Sequence, residues 1–404
     1  MKIYMLFGML PDEDNEEIYL QSKGNIQNAA DTLQKKYLQG FIEQPVVSKI
    51  SVINLPYIGS YPKFYKKLLY QTLIKKRQIG KLEVRNINFL NLIFFKNISR
   101  FFKPLIVSLF LLFNDKSSEE KLYITYAMHL PFLLTVYILS KVFPSVHFYV
   151  IVPDLPEYMA ERKGLKNQLY TMFAKVSYFI VNRMDGIVVI TEAMKDKFSP
   201  SPKKVLIEGI ASANDFDSLD VNTITAQPSP KFLLYAGTLD KRYGVVDLVD
   251  AFNEIEIQDI YLYICGDGDS REYITQAAKQ NPKIKYFGTL PRQEVLKLQL
   301  QASVLINPRK NMGEYVKYSF PSKTLEYMSS GTPVLMHKLP GIPDEYYNYI
   351  YTIGEADGSF KKALREVALL DKAALAARGL AAQKFVSLKK SPYNQVIKIL
   401  QSVR

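Results

Sequence analysis

The stretch Tyr318-Ser-Phe-Pro-Ser-Lys-Thr-Leu-Glu-Tyr-Met-Ser-Ser-Gly-Thr-Pro-Val-Leu335 predicts a loop, a short helix, a glycine stop and a buried strand. Pro321 suits the first helical position, and Ser319 or Ser322 is placed to cap nearby amides. Gly331 can take the left-handed conformation that ends a helix, and the proline two residues later prevents its continuation. The pattern indicates a helix that begins in a loop and leads into a sheet.

Lys323 and Glu326 lie three residues apart in this helix, so both side chains project from one face. The free amides of the helix start and the Lys323 ammonium form a seat for phosphates. The Glu326 carboxylate lies one turn deeper, where the ribose of a bound nucleotide would lie. An exposed ion pair between the two side chains, worth about 0.2–0.5 kcal/mol, accounts for the local pattern equally well.

The composition is that of an ordinary globular protein. With 404 residues, 48% of them hydrophobic, the chain is long enough for two or three domains with substantial cores. Its single cysteine, Cys265, excludes an intrachain disulfide, suits a reducing compartment and lies in an apolar run as an inert core residue. The apolar N-terminus is too short for a secretory signal, and no run reaches the roughly 18–20 residues of a membrane span. We therefore expect a cytoplasmic protein.

Positive charge is concentrated in one segment. Between Lys63 and Lys103 there are eleven basic residues and one acid, Glu83, with bulky aromatic residues among them. Basic residues beside apolar ones suit an anionic membrane interface. We therefore expect a membrane-facing segment at 59–113 that binds the inner face of the plasma membrane through residues 63–103. A solvated basic face is the alternative, and nucleic acid is disfavoured because no nucleic-acid-binding motif accompanies the charge.

Short apolar runs alternate with helical patterns, which predicts parallel sheets with crossover helices. Residues 213–230 are polar and Pro-rich, as in a linker. We predict an α/β fold of two Rossmann-like doubly wound domains, 1–220 and 221–388, that face each other across a cleft, with 389–404 as a helix packing back toward the first. Such sheets bind ligands beyond the carboxyl ends of their strands. The predicted strands are 2–9, 46–53, 122–126, 147–152, 186–190, 231–235, 260–265, 284–287, 304–306 and 333–336.

Four motifs occur in the order and spacing of a known family. They are Lys231-Phe-Leu-Leu-Tyr-Ala-Gly-Thr-Leu-Asp240, Ile264-Cys-Gly-Asp-Gly268, Tyr286-Phe-Gly-Thr-Leu290 and the opening stretch. The chain resembles a GT-B glycosyltransferase of the retaining family 4, glycosyl transferases group 1, in the branch that builds bacterial surface polysaccharides. The specific resemblance covers about residues 185–345.

The resemblance implies a transferase that passes a sugar from a nucleotide-sugar donor to an acceptor hydroxyl. The donor would bind the C-terminal domain and the acceptor the N-terminal one. The acceptor would be a lipid-linked saccharide in capsule, exopolysaccharide or O-antigen biosynthesis. Lys323 would contact the diphosphate and Glu326 the ribose, with Gly237, Ser322 and Thr324 also in contact with the donor.

Three positions depart from the family pattern. A glutamate that faces the donor sugar in relatives falls on Tyr318, and the Arg and Lys that neutralise the diphosphate fall on Thr238 and Tyr243. Tyr318 and Thr238 stay in the expected donor site with altered roles. Glu314 is a nearby carboxylate that either substitutes for the missing glutamate or is an exposed loop acid.

Arg309 is the expected replacement for the missing diphosphate cations. It follows the buried run Leu305-Ile-Asn-Pro and precedes the loop into the opening stretch. With Lys323 it would place two cations at the carboxyl edge of the sheet, and arginine can bridge phosphate oxygens bidentately. A surface arginine after a strand is the alternative.

In the first half, His129 follows the apolar run Leu122-Tyr-Ile-Thr-Tyr126 and precedes Leu130-Pro131. Relatives carry a histidine before a proline near this place, in contact with the donor sugar and phosphate; a buried structural histidine is the alternative. Asp154 also ends a predicted strand and would meet the acceptor hydroxyl or cap a helix. Gly24, in Ser22-Lys-Gly-Asn25, matches a glycine-bearing loop that donor phosphates approach.

The family works without a metal ion, and we expect no metal and no cofactor. Asp267 and Asp269 are expected to form a turn. The implied reaction is metal-independent transfer with retention through an oxocarbenium-like transition state, in which Lys323, Arg309 and helix amides stabilise the departing diphosphate. A nucleotide-sugar epimerase of the same fold remains an alternative, as does a non-catalytic subunit that binds a nucleotide or a partner transferase.

Overall fold

The computed structural model describes residues 1–24, 26–158, 165–211, 216, 219–220, 224 and 230–404, with only the backbone at 165–167. The chain forms two compact units. The first comprises Met1–Ile210 and Pro392–Arg404, and the second Ala211–Ser391. Most of the predicted linker 213–230 lies outside the described residues.

The first unit is built on a sheet whose strands follow the order β10-β9-β8-β7-β1-β2-β5-β4. All neighbours are parallel except β4 and β5, which form an antiparallel hairpin at one edge. A second small sheet pairs β3 with β6. The strands are β1 (Lys2–Phe7), β2 (Lys49–Asn54), β3 (Leu69–Tyr70), β4 (Lys76–Ile79), β5 (Leu82–Asn86), β6 (Phe89–Leu90), β7 (Lys121–Tyr126), β8 (Val146–Val152), β9 (Gly186–Val189) and β10 (Lys203–Leu206).

Helices pack against this sheet, and one of them comes from the C-terminal segment of the chain. They are α1 (Asn15–Gln21), α2 (Asn28–Glu43), α3 (Ile93–Asn114), α4 (Leu130–Val142), α5 (Leu165–Val181) and the C-terminal helix Pro392–Val403. The last of these lies directly against α2, because Gly40 leaves room for the chain: a Cβ at this position would be 2.4 Å from the Pro392 carbonyl oxygen. The Gln44 side-chain amide donates to the Tyr393 carbonyl oxygen at 2.9 Å.

The second unit has a fully parallel sheet of order β13-β12-β11-β14-β15-β16. Its four central strands are mostly apolar runs buried on both faces, as is typical of parallel sheets, whereas the two edge strands are partly exposed. The strands of this sheet are β11 (Lys231–Ala236), β12 (Ile260–Cys265), β13 (Ile284–Tyr286), β14 (Val304–Asn307), β15 (Val334–His337) and β16 (Tyr351–Ile353). The flanking helices are α6 (Val245–Asn253), α7 (Arg271–Gln280), α8 (Arg292–Gln301), α9 (Ser322–Ser329), α10 (Ser359–Leu369) and α11 (Lys372–Lys389), so the C-terminal helix of the first unit is α12.

The unit boundary falls before the predicted position at 220. The Ala211 amide donates to the Lys390 carbonyl oxygen at 2.8 Å, which ties the chain to the second unit from that residue onward. The segment that joins the first unit begins at Pro392, close to the predicted 389. Cys265 is buried in the core of the second unit, and burial raises the pKa of its thiol to about 11.

Candidate functional site

Helix α9 begins one residue later than the sequence predicts. Pro321 is the residue before the helix, and no side chain caps the first turn. The predicted capping by Ser319 or Ser322 is therefore wrong: Ser319 Oγ accepts a hydrogen bond from Arg309 Nη1 at 3.3 Å, and Ser322 is itself the first helical residue. The end of the helix matches the prediction, since Gly331 has a φ of 78°.

Lys323 does not pair with Glu326. Its ammonium donates to the carbonyl oxygen of Ala236, the last residue of β11, and is 3.1 Å from where a Cβ at Gly237 would lie. Glu326 instead accepts from Arg292 at 3.0 Å and from Gln299 at 2.8 Å. Burial holds the pKa of Lys323 below its usual value, although the charge of Glu326 opposes the shift. The exposed ion pair that the sequence left open is therefore not formed.

Glycines let the turns after β11 and β12 approach each other closely. Gly266 has a φ of 136°, and a Cβ there would be 1.8 Å from the Gly237 carbonyl oxygen. The two predicted turn aspartates accept hydrogen bonds from backbone amides: Asp267 from Gly268 at 2.9 Å, and Asp269 from Lys241 at 3.2 Å. Within the described ranges, no cluster of three or more His, Cys, Asp or Glu is arranged to hold a metal ion.

Arg309 lies at the carboxyl end of β14 and is only 9% exposed. Its guanidinium lies over the ring of Tyr243 at 5.6 Å and over the ring of Tyr315 at 5.3 Å. The Nε atom is buried without a hydrogen-bond partner. Tyr243 lies in the segment after β11, where relatives carry a lysine, and its ring packs against an arginine in the segment after β14. Arg309 is not the surface arginine that the sequence left as an alternative.

The other predicted donor-site residues lie around this edge of the sheet with different exposures. Thr238 is exposed, and its carbonyl oxygen accepts from Tyr235 at 2.6 Å. Glu314 is exposed and pairs with Lys317 at 3.2 Å, as a loop acid would. Tyr318 is half-buried beside the same lysine, whose Nζ lies 5.0 Å from its ring centroid. Ser322 is exposed, whereas Thr324 is fully buried with its hydroxyl 4.0 Å from Met336 Sδ.

The first unit contains a cavity of about 770 Å³. Three residues singled out in the sequence, Gly24, His129 and Asp154, line it together. Asp154 stays more than a third exposed, yet burial against the cavity walls raises the pKa of its carboxyl. Asn25 lies outside the described residues.

His129 precedes the first residue of α4 and packs edge-on against Tyr57 and Phe132. Its Nδ1 atom is buried without a hydrogen-bond partner. Burial holds the pKa of this imidazole well below its usual value, and the positive charges of Arg100 and Lys96 add to the shift. The side chain is therefore neutral at neutral pH.

The basic segment predicted at residues 63–103 includes Arg100 and Lys96 as surface residues, and for these two the prediction is wrong. Both are buried, at 4% and 5% exposure, on the inward side of α3. Their helix neighbours at the same spacing, Pro104 and Ser108, are buried too. The four-residue interval of these positions within an apolar helix was the signal that would have identified a polar buried face.

The two units, each with a doubly wound parallel sheet, have the GT-B fold. Similar solved structures include a sucrose-phosphate synthase from Thermosynechococcus elongatus, with a TM-score of 0.61, 15% identity and coverage of 100% of this chain and 98% of the other. An alpha,alpha-trehalose-phosphate synthase (UDP-forming) from Burkholderia xenovorans in complex with glucose-6-phosphate has a TM-score of 0.63, 10% identity and 100% coverage of both chains. HepE from Anabaena in complex with UDP has a TM-score of 0.54, 13% identity and coverage of 100% and 99%.

Residues 220–373 match the family Glycosyl transferases group 1. The matched residues lie in the second unit and include Arg309 and helix α9. No curated protein matches the chain in sequence.

Proposed function

We propose that this protein is a retaining glycosyltransferase that uses a nucleotide-sugar donor. The observation that carries the proposal is the pair Arg309 and Lys323, a buried arginine and a part-buried lysine at the carboxyl edge of the second sheet, neither with a carboxylate partner among the described residues. Buried cations without counter-ions are costly unless a ligand supplies the negative charge. A nucleoside diphosphate supplies it, at the place where open α/β sheets bind ligands.

The residues of the second unit suit departure of a diphosphate. Arg309 would bridge phosphate oxygens through its planar guanidinium, which the rings of Tyr243 and Tyr315 hold in position. Lys323 and the amides of α9 would add positive charge near the β11 carboxyl end. Glu326, already oriented by Arg292 and Gln299, would accept from the ribose hydroxyls. These groups are fixed before the reaction, which is what electrostatic stabilisation of a transition state requires.

The cavity of the first unit is the proposed acceptor side. His129 is neutral there, so its imidazole would hydrogen-bond without adding charge. The raised pKa of Asp154 makes it a stronger base than an ordinary aspartate, which suits contact with an acceptor hydroxyl. No metal takes part in the proposed reaction, and the acceptor is proposed to be a lipid-linked saccharide of a bacterial surface polysaccharide.

A thermal-shift screen with UDP, GDP, dTDP and CMP sugars tests the donor site, because a ligand of the folded state raises the melting temperature by mass action. One donor is expected to stabilise the wild type and not Lys323→Ala. Incubation of that donor without acceptor then separates transfer from epimerisation, since only an epimerase forms the epimeric donor. Binding without turnover towards any lipid-linked acceptor favours the non-catalytic subunit, and no shift with any donor contradicts the proposal.

We propose that the protein acts at a membrane surface, and the exposed residues of helix α3 support this proposal. The outward side of α3 carries apolar residues along its whole length, each at least 39% exposed: Phe94, Ile98, Phe102, Ile106, Phe110 and Phe113. Exposed apolar residues also lie on α5, including Leu169, Met172 and Phe179. Exposed cations stand near α3 in the chain, among them Lys63, Lys75 and Lys103. In the described part of the chain, no helix is long and apolar enough to cross a membrane.

This helix reverses the usual pattern at most of its positions, with Lys96 and Arg100 buried and aromatic residues outward, although Lys103 is exposed. An exposed apolar stripe of this length marks a binding surface, and its cationic surroundings suit anionic lipid. We infer that the protein rests on a bilayer through α3, as a peripheral membrane protein. Sedimentation with anionic vesicles tests this.

A further inference from the structure

The inward side of α3 presents two cations to the interior of the first unit. Arg100 donates from Nη2 to the Pro56 carbonyl oxygen, and its Nε atom is buried without a partner. Its guanidinium lies 5.3 Å from the ring centroid of Tyr57 and 5.2 Å from that of Phe89. Lys96, one turn away, donates to the Ile58 carbonyl oxygen and to Ser60 Oγ. Neither cation pairs with a carboxylate in the described ranges.

Arg100 also lines the cavity that contains His129. Much of the remaining lining is apolar and comes from several elements: Ile26, Ile58, Phe64, Met128, Leu130 and Phe173. The cavity therefore combines a buried guanidinium with hydrocarbon walls. Phe64 and Phe173 are 46% and 45% exposed, so apolar surface continues from these walls to the outside of the unit.

We propose that this cavity binds a phosphate or diphosphate group that carries an aliphatic chain, with Arg100 on the phosphate. This rests on the proposed function, in which such a group would belong to the acceptor. The proposed function names a lipid-linked acceptor; the position of its phosphate at Arg100 and of its aliphatic chain along the apolar walls comes from the cavity itself.

The buried charge of Arg100 favours an anionic ligand. A buried guanidinium without a counter-ion loses favourable solvation, and a phosphate offers it charge-assisted hydrogen bonds. Lys96 has its pKa lowered to about 6 by burial and by the charge of Arg100, so it is mostly neutral in the free protein. A phosphate beside Arg100 would favour the charged form of Lys96 and add a second cation.

The apolar walls of the cavity indicate which kind of group is attached to the phosphate. A free sugar phosphate would find hydrogen-bond partners only at the polar part of the lining, such as Gln27, Asn97 and Asp154, and would leave the apolar walls uncovered, whereas an aliphatic chain buries apolar surface there. The ligand source is therefore a lipid phosphate and not a free sugar phosphate.

Isothermal titration calorimetry in the absence of donor tests the site with four probes: geranyl diphosphate, inorganic pyrophosphate, glucose-6-phosphate and geraniol. Geranyl diphosphate is expected to bind most tightly, and both the headgroup alone and the alcohol at least tenfold more weakly. Arg100→Gln is expected to weaken geranyl diphosphate at least tenfold. Lys141→Gln, at an exposed position at the end of α4 and outside the cavity lining, is the control and should leave binding unchanged.

Lys323→Ala separates this site from the donor site. If geranyl diphosphate binding is lost in Lys323→Ala and kept in Arg100→Gln, the probe binds the second unit and the proposal is overturned. Tighter binding of glucose-6-phosphate than of geranyl diphosphate overturns it as well. If Arg100→Gln does not fold, Phe173→Ser, which changes only the cavity wall, should weaken geranyl diphosphate and leave inorganic pyrophosphate unchanged; equal effects on both contradict the proposal. Because no turnover is measured, the site can pass this test even if the protein proves not to be a transferase.

Discussion

The ammonium of Lys323 donates to the carbonyl oxygen of Ala236 and not to the carboxylate of Glu326 one turn away. The lysine is thereby held at the end of the central strand β11, beside the glycine turn that follows it. Because no carboxylate in the described part of the chain pairs with it directly, its charge remains available to a ligand. Glu326 is held separately by Arg292 and Gln299, so two groups that local spacing would pair are each fixed by other partners.

Lys323→Ala is expected to lower kcat about 10²–10³-fold, the range found when one group that stabilises developing negative charge is removed. Donor binding should weaken with it. Lys317→Ala is the matched control, because Lys317 pairs with the exposed Glu314 in the loop before α9. Steady-state kinetics of both variants with the donor found by the thermal-shift screen make the comparison. Equal losses in the two variants would contradict a specific role for Lys323.

Arg309→Lys is expected to lower kcat/KM about 10–100-fold although the charge is conserved. Lysine lacks the planar guanidinium that lies over the rings of Tyr243 and Tyr315 and that bridges two phosphate oxygens. Arg242→Lys is the control: that arginine is exposed and forms its ion pair with Asp240 within the same turn. Unchanged kinetics in Arg309→Lys would show that Arg309 acts only as a packed cation.

The sheets of both units could be predicted from the sequence, because each central strand is a continuous apolar run between helical patterns. β1 lies within its predicted range and β12 matches its range, and β7 and β11 each extend one residue beyond theirs. The β4–β5 hairpin, with four exposed residues in β4, was not predicted, since its sequence has no buried pattern. The paired strands β3 and β6, two residues each, are equally too short to show a period.

The residues proposed for the donor site could be selected from the sequence for a related reason, because they lie in short motifs at strand ends. The partners of those residues were not, because they come from distant positions. Nothing in the local sequence indicates that Tyr243 supports Arg309, or that Ala236 binds Lys323. Helix α3 shows the limit most clearly, since the charged and aromatic residues of one helix face opposite ways from what their chemistry suggests, and only the tertiary fold determines which side is buried.

Replacement of Phe102, Ile106 and Phe110 by serine is expected to reduce binding to anionic vesicles at least tenfold. Each side chain is more than half exposed, so the variant loses little folded-state packing while apolar area is removed from the lipid. A matched control replaces three exposed leucines of the second unit, Leu369, Leu380 and Leu388, by serine. Vesicle sedimentation at low and high salt, with melting temperatures of all proteins, completes the test. Equal vesicle binding by the two variants would count against α3 as the lipid surface.

Lys96→Met is expected to change how stability depends on pH. Burial lowers the pKa of Lys96 to about 6 in the folded protein, against about 10.4 for an ordinary lysine. Between these values the unfolded chain binds a proton that the folded chain lacks, so the free energy of unfolding contributed by this group rises with pH. The wild type should therefore gain about 1.4 kcal/mol per pH unit relative to Lys96→Met from about pH 6 to pH 10.

Urea unfolding of both proteins at pH 6.5, 7.5, 8.5 and 9.5 measures this slope directly. Near neutral pH the methionine variant should be the more stable of the two. The loss of the hydrogen bonds to Ile58 and Ser60 makes this difference in stability smaller. Lys103→Met, at an exposed position of α3, should run parallel to the wild type at every pH. A parallel course for Lys96→Met would mean that Lys96 keeps its proton in the folded protein. If the expected slope is found, the buried Lys96 lowers the stability of the folded protein. Such a loss of stability is often found at residues that serve function.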